Sequence, residues 1–125
     1  MTFQTACSLA ELPANTMRTV TVGAVTVLFV REGDQVYALE PRCGHMGGPL
    51  AEGTLDGHVV TCPWHGSRYD ARTGRSIRGP YRIPVVSGLL KGLAAARKTY
   101  SARLTATAVE VNLDAVGSGP EPEAG

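Results

Sequence analysis

Two stretches, Cys43-Gly-His-Met-Gly-Gly-Pro-Leu (residues 43–50) and Cys62-Pro-Trp-His-Gly-Ser-Arg-Tyr-Asp (residues 62–70), decide how this chain is read. The first sets Cys43 and His45 with one residue between them. The second sets Cys62 and His65 with two, and sixteen residues separate His45 from Cys62. Each half therefore offers one soft thiolate and one borderline imidazole. Such a set can hold a tetrahedral zinc ion. It can also hold a two-iron cluster in which both cysteines bind one iron and both histidines the other. Structural zinc sites usually gather their thiolates in a Cys-x-x-Cys half, so two mixed halves fit the two-iron cluster better. Neutral imidazoles reduce the negative charge of the oxidised cluster, which makes it easier to reduce. The glycines around both pairs let backbone approach an inorganic centre closely and aim N–H groups at it.

Working outward, the residues between the pairs end in a strand pattern from His58 to Cys62. Upstream, Thr19 to Val22 alternates polar and apolar, Gly23 interrupts, and Ala24 to Arg31 resumes with Val25, Val27 and Phe29 on one face. That is a hairpin signature with period two. Glu32-Gly33-Asp34 is a second turn and Gln35 to Leu39 a third strand. Ser8 to Leu12 reads as one helical turn ended by Pro13. Downstream, Gly88 to Thr99 has the composition of a short helix, with Leu89, Leu90 and Leu93 as its apolar stripe. Leu104 to Leu113 alternates again as a closing strand or strand pair. From Val116 the Gly/Pro/Glu-rich end has the composition of a disordered tail. These elements predict an all-β domain over residues 1–113, with residues 114–125 as tail.

The chain has 125 residues and a net charge of +1, with 43% hydrophobic residues, enough for one domain with a modest core. No apolar run is long enough to span a bilayer, and the N-terminus lacks a secretory pattern. The expected compartment is the cytoplasm, where cysteines serve as ligands more often than as disulfides. The charge is uneven. Between Arg68 and Arg103 stand nine bases against one acid, Asp70, whereas residues 1–66 hold six acids and three bases. That asymmetry suits steering of a charged partner, and equally a row of solvated arginines. Cys7 reads as a small buried hydrophobe. His58 reads as a surface strand residue and not a fifth ligand. Trp64 suits either shielding of the centre or a partner contact.

The two motifs, followed by Thr73-Gly74 and Gly79-Pro80, resemble the Rieske ferredoxins and Rieske domains. The likeness reaches from about residue 5 to 84, roughly two thirds of the chain. It implies an antiparallel β-sandwich into which a small cluster-binding subdomain, about residues 41–82, is inserted. It also implies one Rieske-type [2Fe–2S] cluster, with Cys43 and Cys62 on the inner iron and the Nδ1 atoms of His45 and His65 on the outer one. Pro80 would lie in the loop covering the cluster. Gly48 and Trp64 occupy the positions where high-potential respiratory members carry a disulfide, so that bond is absent. Ser67 and Tyr69 match the hydroxyl donors that those members aim at the cluster sulfurs, and such donors raise the potential. Beyond Pro84 the chain departs from the family, which usually closes with short strands soon after the proline loop.

The expected function is that of a small soluble electron carrier, monomeric by default and without catalytic residues of its own. No two-His-one-carboxylate iron site is present to make it an oxygenase. As a ferredoxin component it would accept electrons from a flavin- or NAD(P)H-dependent reductase and pass them to a terminal oxygenase. A small subunit of an assimilatory nitrite reductase is the alternative with a similar fold. A structural zinc module, or a nucleic-acid-binding module using the basic stretch, is the non-redox alternative. Only Tyr69 and Tyr81 fall among the five arginines from Arg68 to Arg82, which argues against nucleic acid.

Overall fold

The computed structural model describes residues 3–42, 49–64, 66–78 and 97–116. Among them are ten strands: β1 (Gln4–Ser8), β2 (Met17–Val22), β3 (Val25–Glu32), β4 (Gln35–Leu39), β5 (Thr54–Asp56), β6 (Val59–Thr61), β7 (Arg68–Asp70), β8 (Ser76–Arg78), β9 (Thr99–Leu104) and β10 (Ala108–Val116). Two single 3₁₀ turns, Leu9–Glu11 and Leu50–Glu52, complete the set. All strand pairs are antiparallel. One sheet has six strands in the order β1-β10-β9-β4-β3-β2, and the other is the four-strand meander β5-β6-β7-β8.

Three two-residue turns set the registers. Val22 faces Val25, Glu32 faces Gln35 and Asp56 faces Val59. The first residue of each turn is a glycine with positive φ: Gly23 at 63°, Gly33 at 58° and Gly57 at 65°. An L side chain is strained there, and tight hairpins demand that conformation.

The small sheet is an insertion into the large one. Strands β4 and β9 are direct neighbours, with Ala38 opposite Tyr100 and Leu39 opposite Thr99, although residues 40–98 separate them in sequence. All four strands of the small sheet fall in that interval. This is the expected β-architecture with an inserted subdomain.

Strand β3 holds the two parts together. Val27 and Phe29 enter a core shared with Val36, Ala38, Val109 and Val111. Leu28 and Val30 point the other way, into a second core with Leu39, Leu50, Val60, Cys62, Tyr69 and Ala71. All four of these β3 side chains are fully buried. Alternating side chains thus serve two cores, one on each face of the strand. At roughly 1.5–3 kcal/mol for each large apolar side chain removed from water, β3 is a main source of cohesion for both.

Two sequence-based boundaries move. The expected helix from Gly88 to Thr99 lies mostly outside the described residues, but its last residue, Thr99, opens β9. Hydrogen bonding to β4 decides that end against a helix. Strand β10 runs through Val116, so residues 114–116 belong to the sheet and not to a tail starting at 114. The rest of that tail lies outside the described residues. Cys7 is buried in the first core, as expected.

Candidate metal centre

Cys62 directly follows β6 and is 2% exposed within the second core. Its amide donates to the Ser67 carbonyl at 2.8 Å, and its own carbonyl accepts from the Gly66 amide at 3.1 Å. Gly66 has φ +80°, the left-handed conformation such a tight return needs. The first motif is closed in a comparable way. Arg42 and Pro49 form an isolated antiparallel bridge, and the Leu50 amide donates to the Pro41 carbonyl at 3.0 Å. Cys43 and His45 fall between those feet in sequence. Cys43, His45, His65 and Pro80 lie outside the described residues.

The bases of the two loops touch. A Cβ built on Gly53 would collide with the Thr61 carbonyl and stand 3.1 Å from Cδ of Pro63. Only a glycine permits that approach between the chain leaving the first loop and the chain entering the second. Beside it lies an open depression of about 350 Å³, edged by Glu52 and Arg68 and reaching Cys62 and Gly66.

Ser67 and Tyr69 are both fully buried close to Cys62 in sequence. The Ser67 Oγ has no hydrogen-bond partner among the described residues. A buried hydroxyl left without an acceptor costs stability, so native sites supply one. A bridging sulfide or thiolate sulfur is an acceptor of the right kind. Buried thiol, unpartnered hydroxyl and glycine-tight loops together fit an iron–sulfur centre.

The profile of the Rieske [2Fe-2S] domain matches residues 2–91. The chain belongs to the Rieske [2Fe-2S] domain family. As a Rieske protein it carries one [2Fe–2S] cluster of the Rieske type. It is 40% identical over 80 residues to ferredoxin CarAc of Metapseudomonas resinovorans, a match spanning 63% of this chain and 75% of the relative. To the ferredoxin component of the naphthalene 1,2-dioxygenase system of Pseudomonas aeruginosa it is 36% identical over 76 residues, 60% of this chain and 72% of the relative. Its fold superposes with a TM-score of 0.70 on a chain in a complex of reduced oxygenase and oxidised ferredoxin in carbazole 1,9a-dioxygenase. That match has 28% identity and covers 95% of this chain and 96% of the other.

Polar residues cluster at the end of the inserted sheet where Asp70 pairs with Val59. Arg72 grips Asp70 through Nε at 3.0 Å, Nη2 at 2.9 Å and its backbone amide at 2.9 Å. Burial works to raise the Asp70 carboxyl, but the hydrogen bonds from Arg72 outweigh it and hold the group below the ordinary carboxylate value. Next to it, the Glu32 carboxylate accepts from the Tyr37 hydroxyl at 3.4 Å and meets His58 Nδ1 at 3.2 Å. Burial, then the Glu32 charge, push the Tyr37 hydroxyl up.

His58 therefore departs from the sequence reading. It sits in the β5–β6 turn, partly buried, and joins the inserted sheet to β3. Trp64 is 48% exposed, which favours a contact surface over shielding. Of the arginines in the basic stretch, Arg68 and Arg75 are exposed, while Arg72 is committed to Asp70. Sequence reasoning passed over Glu32, Glu40 and Arg97. Each acts through a residue distant in the chain, and no local pattern marks such pairs. Among the described residues no helix is long and apolar enough to cross a membrane.

Proposed function

We propose that this Rieske protein is the ferredoxin component of a multicomponent oxygenase, fed by a flavin- or NAD(P)H-dependent reductase and discharging to a terminal oxygenase. It is an electron carrier and not itself a catalyst. The observation that carries the reading is its near full-length superposition on a chain of the oxygenase–ferredoxin complex, together with its identity to stand-alone ferredoxin components. Cys43 and Cys62 would hold one iron and His45 and His65 the other. The cluster, when bound, takes up and releases one electron at a time.

This chain's own residues then have distinct tasks. The buried Cys62 and the closed loop feet keep water from the thiolate side. Ser67 Oγ, buried and without a partner among the described residues, and the buried Tyr69 hydroxyl would donate to cluster or cysteine sulfur and favour the reduced, more electron-rich state. Exposed Trp64, next to His65 in sequence, supports exchange at the loop tips. Exposed Arg68 and Arg75 supply positive charge for an acidic partner. A cytoplasmic monomer suits a protein that must keep Cys43 and Cys62 reduced; cell fractionation and sedimentation test that part.

Low-temperature EPR of the reduced protein, with iron and acid-labile sulfide assayed alongside, tests the cluster. A rhombic signal characteristic of His-ligated [2Fe–2S] centres, with two irons per chain, is expected. Stoichiometric zinc and a silent spectrum would overturn it. Partner exchange should slow as ionic strength rises, and salt-independent rates would remove the arginines from that role.

A further inference from the structure

Arg97 is the first described residue after residues 79–96, which lie outside the described part of the chain. It contacts two separate parts of the fold, the chain after β4 and the turn at Gly74. Its Nη1 donates to the backbone carbonyl of Arg42 at 3.3 Å. The same nitrogen stands 3.3 Å from Oε1 of Glu40, and the Arg97 side chain is only 18% exposed. Its backbone amide donates to the carbonyl of Gly74 at 2.6 Å. Gly74 lies so close that a Cβ there would collide with the Arg97 carbonyl. The neighbouring Lys98 completes the anchor. Its amide donates to Glu40 Oε1 at 2.8 Å, and its carbonyl accepts from the Glu40 amide at 2.9 Å.

Arg42 is the foot of the first cluster loop, and the next residue in the chain is Cys43. Gly74 belongs to the turn that follows the second motif, where its amide donates to the Asp70 carbonyl at 2.7 Å. One residue thus reaches the entrance of one loop with its side chain and the turn behind the other with its backbone.

We propose that Arg97 is a positioning residue for the cluster: its guanidinium, held by Glu40, clamps the Arg42 carbonyl and so fixes the foot from which the first cluster loop leaves the sheet. This rests on the assignment of Cys43 as a ligand. A guanidinium suits the task because the two N–H bonds of Nη1 diverge in a fixed plane, so this one nitrogen can face a carboxylate and a carbonyl together. The ammonium of lysine has no such fixed geometry. Glu40 serves mainly to aim that nitrogen. Its contact with the Lys98 amide needs only a side-chain oxygen, which glutamine retains.

The test uses the cluster-loaded full chain in four forms: wild type, Arg97→Ala, Arg97→Lys and Glu40→Gln. Three quantities are read on each: cluster release to an iron chelator by visible absorbance, the EPR line shape of the reduced state, and the melting temperature. Arg97→Ala should release its cluster about tenfold faster, the factor expected when one charge-assisted hydrogen bond is lost, and its EPR lines should broaden. Arg97→Lys should fall between wild type and Ala. Glu40→Gln should stay within about twofold of wild type. Release from Arg97→Ala at the wild-type rate would overturn the proposal. So would equal effects of Arg97→Ala and Glu40→Gln, which would assign the role to the ion pair. Should Arg97→Ala not load, Arg97→Lys decides alone, and wild-type release and line shape there would overturn the need for a planar guanidinium. If wild type itself shows no Rieske signal, the cluster reading falls first and this inference with it.

Discussion

His58 Nδ1 lies 3.2 Å from Glu32 Oε1, and that contact joins the turn of the β5–β6 hairpin to the end of β3. It is a polar stitch between the inserted sheet and the large one, placed beside the second core. Both side chains are about one third exposed, so solvent screens the pair. A double-mutant cycle with Glu32→Gln and His58→Gln should give a coupling of about 0.2–1 kcal/mol. A coupling above that range by chemical denaturation would mean that the stitch governs docking of the subdomain.

Among the described residues Ser67 Oγ is one of two buried hydroxyls without a hydrogen-bond partner, Ser76 Oγ being the other, and Tyr69 is buried two residues beyond Ser67. Removing a hydrogen bond worth about 1 kcal/mol shifts a one-electron couple by about 40 mV. Ser67→Ala and Tyr69→Phe are each expected to lower the reduction potential by about that amount in protein-film voltammetry. An unchanged potential in both variants would rule the hydroxyls out as donors to sulfur.

Leu28 and Phe29 are chain neighbours in separate cores. Each truncation to alanine should cost roughly 2–5 kcal/mol, but with different consequences. Leu28→Ala should loosen the core that contains Cys62 and speed iron loss to a chelator. Phe29→Ala should act chiefly on the large sheet, read as a lower melting temperature with slower iron loss than Leu28→Ala. Identical behaviour would contradict the two-core description.

The Asp70 carboxyl is depressed by its Arg72 contacts. Its contribution to stability is therefore full above the unfolded value, about pH 4, and is lost as pH falls through the lower folded value. Asp70→Asn should lower the melting temperature at pH 7 and narrow its gap to wild type as the pH is taken below about 4. A gap independent of pH would mean that the carboxylate's charge contributes nothing.

Gly74 and Gly23 share a positive φ, 79° and 63°, but not surroundings. At Gly23 an added Cβ meets nothing within 4 Å, whereas at Gly74 it meets the Arg97 carbonyl. Gly23→Ala should cost only the left-handed strain, about 1–2 kcal/mol. Gly74→Ala carries the same strain and the clash as well, so it should melt lower and release its cluster faster.

Much of this was readable along the chain because it is local. The β2, β3 and β4 strands follow from period-two alternation broken by Gly23 and Gly33. The Rieske family was legible in the two Cys/His motifs at residues 43–45 and 62–65, because residue types at short spacing are visible without the fold. The burial of Cys7 and the turn at Leu9–Glu11 were equally local. What chain order could not reveal depends on contacts between distant residues. Alternation assigned Val25, Val27 and Phe29 to a buried face, but only the docked insertion buries Leu28 and Val30 on the other. The composition of Gly88 to Thr99 suggested a helix, yet pairing with Leu39 commits Thr99 to a strand. His58 took its place from Glu32, twenty-six residues away, and Arg97 from Arg42, fifty-five residues away. Propensity and ligand spacing are properties of a few successive residues, whereas burial on a second face and a clamp across two loops exist only after the chain has folded back on itself.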